Sequence, residues 1–92
     1  MSLFGVCYTI KPEKMGDVVD MFAKGKVTFP KGMKVIEEYL WGTNTFEILE
    51  AEDMDTVMTY LVQFMPSCND ISVHAISTLR SVLKKFGIKP PY

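Results

Sequence analysis

From Leu3 to Ile10 the chain is rich in β-branched and aromatic residues, the mark of a strand. The period then changes. Pro12 and Glu13 open a segment in which Met15, Val18, Val19, Phe22 and Ala23 recur on one helical face, and Gly25 supplies a stop. A basic loop, Lys24 to Gly32, leads into a second strand, Met33–Trp41. Gly42-Thr43-Asn44 is turn chemistry and Thr45–Ala51 a third strand, so residues 33–51 form a hairpin with antiparallel arms. Asp53 is a good N-cap for a second helix, whose expected buried stripe is Met54, Val57, Met58, Leu61, Val62 and Met65 and which Pro66 ends. Asp70–Ile76 alternates again as a fourth strand. Ser77 or Thr78 can cap a short third helix carrying Leu79, Val82, Leu83 and Phe86, closed by Gly87. The tail Lys89-Pro90-Pro91-Tyr92 is expected to be extended.

The order β-α-β-β-α-β, followed by a terminal helix, is the split βαβ or ferredoxin-like arrangement: an α+β fold with a four-stranded antiparallel sheet, two helices on one face, and the first and third strands central. Residues 1–78 make that domain, and 79–92 add the C-terminal helix and tail. Ninety-two residues suffice for one domain. A chain this short buries only roughly 60–65% of its unfolded surface, so a partner subunit would help it.

A two-residue turn at Thr43-Asn44 sets Trp41 against Phe46 and Tyr39 against Ile48 on one side of the hairpin. It sets Leu40 against Glu47, Glu38 against Leu49 and Ile36 against Ala51 on the other. The first side is apolar and aromatic and is expected under the helices. The second is mixed, and is too apolar to be wetted. In the fourth strand Ile71, Val73 and Ala75 are expected under the helices, which puts His74 on the same open face as Glu38, Leu40 and Glu47. That face needs a cover. A second sheet from another subunit is one solution, and the terminal helix folding back is the other.

Charge is uneven. Residues 1–36 hold six Lys against three acids, residues 37–79 hold eight acids and no Lys or Arg, and residues 80–92 hold Arg80, Lys84, Lys85 and Lys89. The overall net charge of −1 argues against nonspecific binding to nucleic acid or to an anionic membrane. The apolar run Val57–Met65 is far short of a bilayer span. Two isolated cysteines, Cys7 and Cys68, read as free thiols in a cytoplasmic protein, Cys7 as a small buried hydrophobe on a central strand. No C-x-x-C, P-loop or G-x-G-x-x-G occurs. Where an RNA-recognition surface needs aromatic and basic residues on strand three, this one offers Phe46 alone and two carboxylates. No metal or cofactor is expected.

Two segments carry a resemblance: Tyr8-Thr9-Ile10-Lys11-Pro12-Glu13 at the first strand-to-helix junction, and Phe46-Glu47-Ile48-Leu49-Glu50-Ala51-Glu52-Asp53 from the third strand into the second helix. Over residues 3–78 the chain resembles a family of short, uncharacterised prokaryotic proteins of the dimeric α/β-barrel superfamily. The resemblance implies a homodimer formed sheet against sheet, often enclosing a pocket. Within that superfamily are cofactor-independent monooxygenases, isomerases, haem-degrading enzymes and proteins that only bind small ligands. Where such relatives often place His, Arg or Trp on the second strand, this chain has Glu38, Tyr39 and Leu40.

Candidate chemistry is sparse. His74 is the one side chain that titrates near neutrality without perturbation. It is a base or ligand donor if it lines a cavity, and a structural histidine if it is satisfied within the sheet. Glu38 and Glu47, if buried among apolar neighbours, would have raised pKa values and could shuttle protons; at a rim they would be ordinary surface carboxylates. The expected function is binding of a small, partly apolar molecule between the sheets of a homodimer, with Glu38, Leu40, Glu47 and His74 lining the site. The alternatives are a monooxygenase-like or isomerase-like enzyme without cofactor, and a structural or protein-interaction module. Pocket volume separates the structural module from the other two, because small-molecule sites occupy roughly 300 Å³ or more, and a titratable group within reach of a ligand separates enzyme from binder.

Overall fold

The computed structural model describes residues 1–92. Its strands are β1 (Ser2–Ile10), β2 (Met33–Trp41), β3 (Asn44–Ala51) and β4 (Cys68–Ile76), and its helices are α1 (Met15–Ala23), α2 (Met54–Leu61) and α3 (Leu79–Lys85). Short 3-10 turns at Pro12–Lys14 and Met65–Ser67 precede α1 and β4. The sheet order is β2-β3-β1-β4 with every neighbour antiparallel. This is the ferredoxin-like arrangement, with β1 and β3 central as the element order requires. No helix is long and apolar enough to cross a membrane.

Local chemistry places the boundaries. Pro12 starts the turn into α1, and Gly25, at φ +64°, ends the helix in a conformation that costs a glycine little. Asp53 caps α2 by accepting from Thr56 N at 2.9 Å. Of the two candidate caps for α3, Thr78 does the work, accepting from Ser81 N at 3.1 Å. Gly87, at φ +69°, closes α3, with Ile88 N donating to Leu83 O at 2.9 Å.

The hairpin register differs from the expected one. The turn sits on Gly42-Thr43, so Trp41 pairs with Asn44, Tyr39 with Phe46 and Glu38 with Glu47. Gly42 takes a positive φ of 62°, which makes it a turn residue rather than the strand residue beside the turn. Ile36 is the extra residue of a bulge between Val35 and Glu37, and Ala51 pairs with Met33 instead. A two-residue slip leaves side-chain parity intact. The face assignment is reversed for a different reason. β1 turns Phe4, Val6, Tyr8 and Ile10 toward the helices, and its pairing with β3 puts Thr45, Glu47, Leu49 and Ala51 on that same side. The aromatic side of the hairpin therefore faces away from the helices. Tyr39 and Trp41, expected beneath them, are 53% and 57% exposed. Cys7, expected buried, lies exposed on the same outer face. In β4 the expectation agrees with the structure: Val73 pairs with Val6 and packs against the core, while His74 pairs with Gly5 and points outward.

α2 is rotated relative to its expected stripe. The residues it buries are Val57, Tyr60 and Leu61, continued by Phe64, whereas Met54, Val62 and Met65 are exposed. The spacing 57, 60, 61, 64 is as helical as the expected one. Hydrophobicity alone preferred Met to Tyr, but the larger aromatic rings fill the space over the sheet. Tyr60 meets Phe64 edge-on at 5.4 Å, and Phe22 of α1 stacks on Phe64 at 5.9 Å.

The apolar stripe of α3 joins no core: Leu79 is 59% and Phe86 76% exposed, Val82 and Leu83 are half-buried, and no residue of the helix is buried. A hollow of about 420 Å³, lined by Leu3, Ile76, Thr78 and Ser81 among others, separates it from the ends of β1 and β4. The radius of gyration is 15.2 Å, against about 12 Å for a compact chain of this length.

The core makes a direct test of the α2 rotation. Leu61→Ala should cost roughly 2–5 kcal/mol, enough to threaten a domain this small, whereas Val62→Ala should stay within about 0.5 kcal/mol. Urea denaturation of both variants measures this, and equal losses would restore the Met-rich stripe.

Candidate functional site

The helix-facing side of the sheet carries more polar groups than its burial favours. Glu47 stands in the middle of β3 with no exposed surface. The alternation of a central strand places it there: Leu49 and Ala51, two and four residues on, are core residues, and a strand cannot turn one side chain out without turning its neighbours. Across the hairpin Glu38 is its register partner, and across the other interface Val6 is. Tyr60 of α2 reaches down and donates its hydroxyl to Glu47 Oε2 at 3.2 Å. The Tyr8 phenol also interacts with this carboxyl group. Glu47 Oε1 has no partner, nor has the buried hydroxyl of Thr45, two residues away on the same face. Unpaired buried polar atoms are uncommon, because each forfeits its bonds to water.

Electrostatics follow from this burial. Loss of water raises the Glu47 pKa to about 7; the Tyr8 and Tyr60 hydroxyls pull it down and nearby Glu38 pushes it up. Both phenols are driven well above their ordinary range, first by burial and then by the adjacent carboxylate, so they remain hydrogen-bond donors. Glu38 lies on the exposed edge strand, yet apolar surroundings and neighbouring Glu37 raise its pKa as well.

Beside this cluster is a cleft of about 180 Å³ between α1 and the sheet. Met15, Val18, Val19 and Phe22 form its helical wall, and Tyr8, Ile10, Leu40 and Thr45 its sheet wall, with Glu38 among the lining. Tyr8 belongs to both cleft and cluster. The roof over the cluster is aromatic: Phe29, from the loop after α1, stacks on Tyr60 at 5.7 Å. Gln63 pins that loop, accepting from Thr28 N at 2.9 Å and donating to Thr28 O at 2.8 Å.

The four residues expected to share a site divide. Glu38 and Leu40 line the cleft, and Glu47 lies under the helices as their neighbour on the sheet. His74 stands on the opposite face, opposite Gly5, and belongs to no site with the carboxylates. Within the subunit, Glu38 and Leu40 thus face a cleft between helix and sheet. Sequence reasoning had the helical wall, since Met15, Val18, Val19 and Phe22 follow from periodicity. It passed over Tyr8, Thr45 and Tyr60. Tyr8 was signalled by sharing the Phe4-Val6-Tyr8-Ile10 face, and Tyr60 by its spacing from Val57. No three His, Cys, Asp or Glu side chains converge as a metal site would require.

Burial of Glu47 makes stability depend on pH. The folded chain holds a proton on this carboxyl that the unfolded chain gives up near its ordinary 4.5. Stability should therefore be greatest below about pH 4.5 for this group and fall as pH rises to about 7, by roughly 3 kcal/mol. Urea denaturation of the wild type and Glu47→Gln across that window should show a fall in the former and a flatter profile in the latter. Carboxyl carbon NMR of Glu47 gives the titration directly should the variant not fold, and a midpoint near 4.5 would refute the buried-acid description. Comparison of the chain with family models, curated proteins and solved structures finds no match, so the account of this site rests on its own geometry.

Proposed function

We propose that the protein binds a small, mainly apolar molecule bearing one polar group in the cleft between α1 and the sheet. One observation carries this reading: an apolar cleft whose sheet wall includes Thr45, a residue with a buried and unpartnered hydroxyl, and Tyr8, which leads to a carboxyl group that also lacks a full set of partners. Hydrocarbon walls supply affinity without direction, and the polar groups would supply orientation. The volume, about 180 Å³, is below the range of drug-sized sites. An apolar cavity of roughly 150 Å³ admits benzene, so the ligand class is a single ring or its aliphatic equivalent with one hydroxyl or carbonyl.

A second reading is favoured by Glu47 alone. A carboxyl that titrates near neutrality can both take and give a proton under ordinary conditions. Tyr8 would carry the proton between it and a ligand, the chemistry of an isomerase-like enzyme without cofactor. Self-association also belongs to the proposal. The outer sheet face presents Tyr39, Trp41, Phe46 and Ile48 with no helix over them, and only 15 of 92 residues are buried in the subunit. A homodimer formed over this face would supply the missing burial.

The cleft is tested at its mouth. Val19 lines it and is exposed on α1, so Val19→Trp should obstruct entry at little cost in stability. Thermal denaturation with a panel of monocyclic phenols and ketones should show a concentration-dependent rise in Tm for the wild type, reaching about 2.7 kcal/mol of stabilisation at a hundred times Kd. The variant should lose that response at least tenfold. A response equal in both proteins, or none in the wild type, would remove the cleft as a binding site.

A further inference from the structure

The terminal helix is unexplained by its own subunit. It has seven residues, far below the length at which a helix holds in water by itself. Yet it is well capped at both ends, by Thr78 and by Gly87. Its apolar stripe, Leu79, Val82, Leu83 and Phe86, touches no core residue sufficiently to be buried. Arg80 and the tail are held together, the guanidinium lying 5.2 Å from the Tyr92 ring centre, so the segment has a defined shape of its own.

The outer sheet face has the matching deficit. Cys7, Phe46 and Tyr39 are register partners on three successive strands, and Tyr39 and Phe46 stack at 6.4 Å. Three strands span about 10 Å from first to last. The stripe from Leu79 to Phe86 also covers about 10 Å at helical rise. Beside this row the face carries Glu37 and Glu50 against one lysine, Lys34. The only ion pairs in the subunit are two within or beside α1, Lys14–Asp17 and Lys24–Asp20. Thus Arg80, Lys84 and Lys85 pair with no acid of their own subunit, and Glu37 and Glu50 with no cation.

We propose that α3 is an exchange arm: in a homodimer, the Leu79–Phe86 stripe of each copy lies across the Cys7–Phe46–Tyr39 row of the other, with Arg80, Lys84 and Lys85 alongside Glu37 and Glu50. The occupant is a second copy of this chain because cover and uncovered face are both present in each subunit and complementary in length, apolarity and charge. The exchange is reciprocal, as a two-fold interface must be. It rests on the reading of the protein as a dimer and specifies what fills that interface.

Cys7 supplies the probe, since it is free and exposed at one end of the row, while Cys68 is buried. Leu79→Cys and Phe86→Cys, at the two exposed ends of the stripe, are made separately in the full chain. After mild oxidation, one of them should give a covalent dimer in which peptide mass spectrometry finds Cys7 of one isotopically labelled chain joined to the introduced thiol of an unlabelled one. Lys84→Glu with Lys85→Glu should weaken self-association about tenfold by sedimentation. A disulfide within one chain would mean the arm folds onto its own sheet, and would overturn the exchange. So would a dimer of twice 10.5 kDa that links Cys7 to Cys7 and never to the introduced thiols, which would place the sheets in direct contact. A monomer at all concentrations would overturn the dimer itself.

Discussion

The burial of one carboxyl group governs this molecule. Glu47 occupies a core position on a central strand, and no rotation of β3 can expose it without exposing Leu49 and Ala51. The surroundings must therefore treat a titratable group as part of the core. They do so with Tyr60, whose hydroxyl is the one direct partner, with Tyr8 across the sheet, and with proton retention up to about pH 7. A buried polar cluster is stable in proportion to how fully it is satisfied. This one is satisfied in part, since Glu47 Oε1 and the Thr45 hydroxyl lack partners.

That constraint explains the rotation of α2. A helix placed by Met54, Met58 and Val62 would lay thioethers and methyl groups over a carboxyl group. Placed by Val57, Tyr60, Leu61 and Phe64, it provides hydrocarbon around the cluster and a donor at its centre. The aromatic contacts of Tyr60 with Phe29 and Phe64 then fix the phenol and close the cluster to water. Function, on the reading proposed above, uses what the packing leaves over: the cleft beside α1, and polar groups whose bonds a ligand can complete.

The outer face follows a separate logic. Aromatic residues are displayed there, and the capped arm that could cover them buries none of its own residues. Two incomplete surfaces in one chain are a liability for an isolated subunit, and under the exchange proposed above each would be completed by the matching surface of a second copy. The small buried core is consistent with stability that depends on such completion.

Element order, the caps at Asp53 and Thr78 and the closures at Gly25 and Gly87 were legible in the sequence, because each depends on residues within a few positions of one another; α2, expected to run to Pro66, ends at Leu61, and β4, expected from Asp70, begins at Cys68. The ferredoxin-like fold followed from that order. His74 points outward as expected, although alternation tied it only to the face opposite Val73. The side of the sheet on which the β2–β3 hairpin presents its aromatic residues was not legible. Alternation states which residues share a face and leaves open which face meets the helices. Hydrophobicity pointed Tyr39, Trp41 and Phe46 inward, and pairing with β1 decided otherwise, bringing Glu38 and Glu47 beneath the helices and separating them from His74. Amino-acid order determined the elements through local chemistry. Only the tertiary structure decided that Glu47 is buried and that Glu38 shares its side of the sheet, because that depends on register between strands distant in the chain.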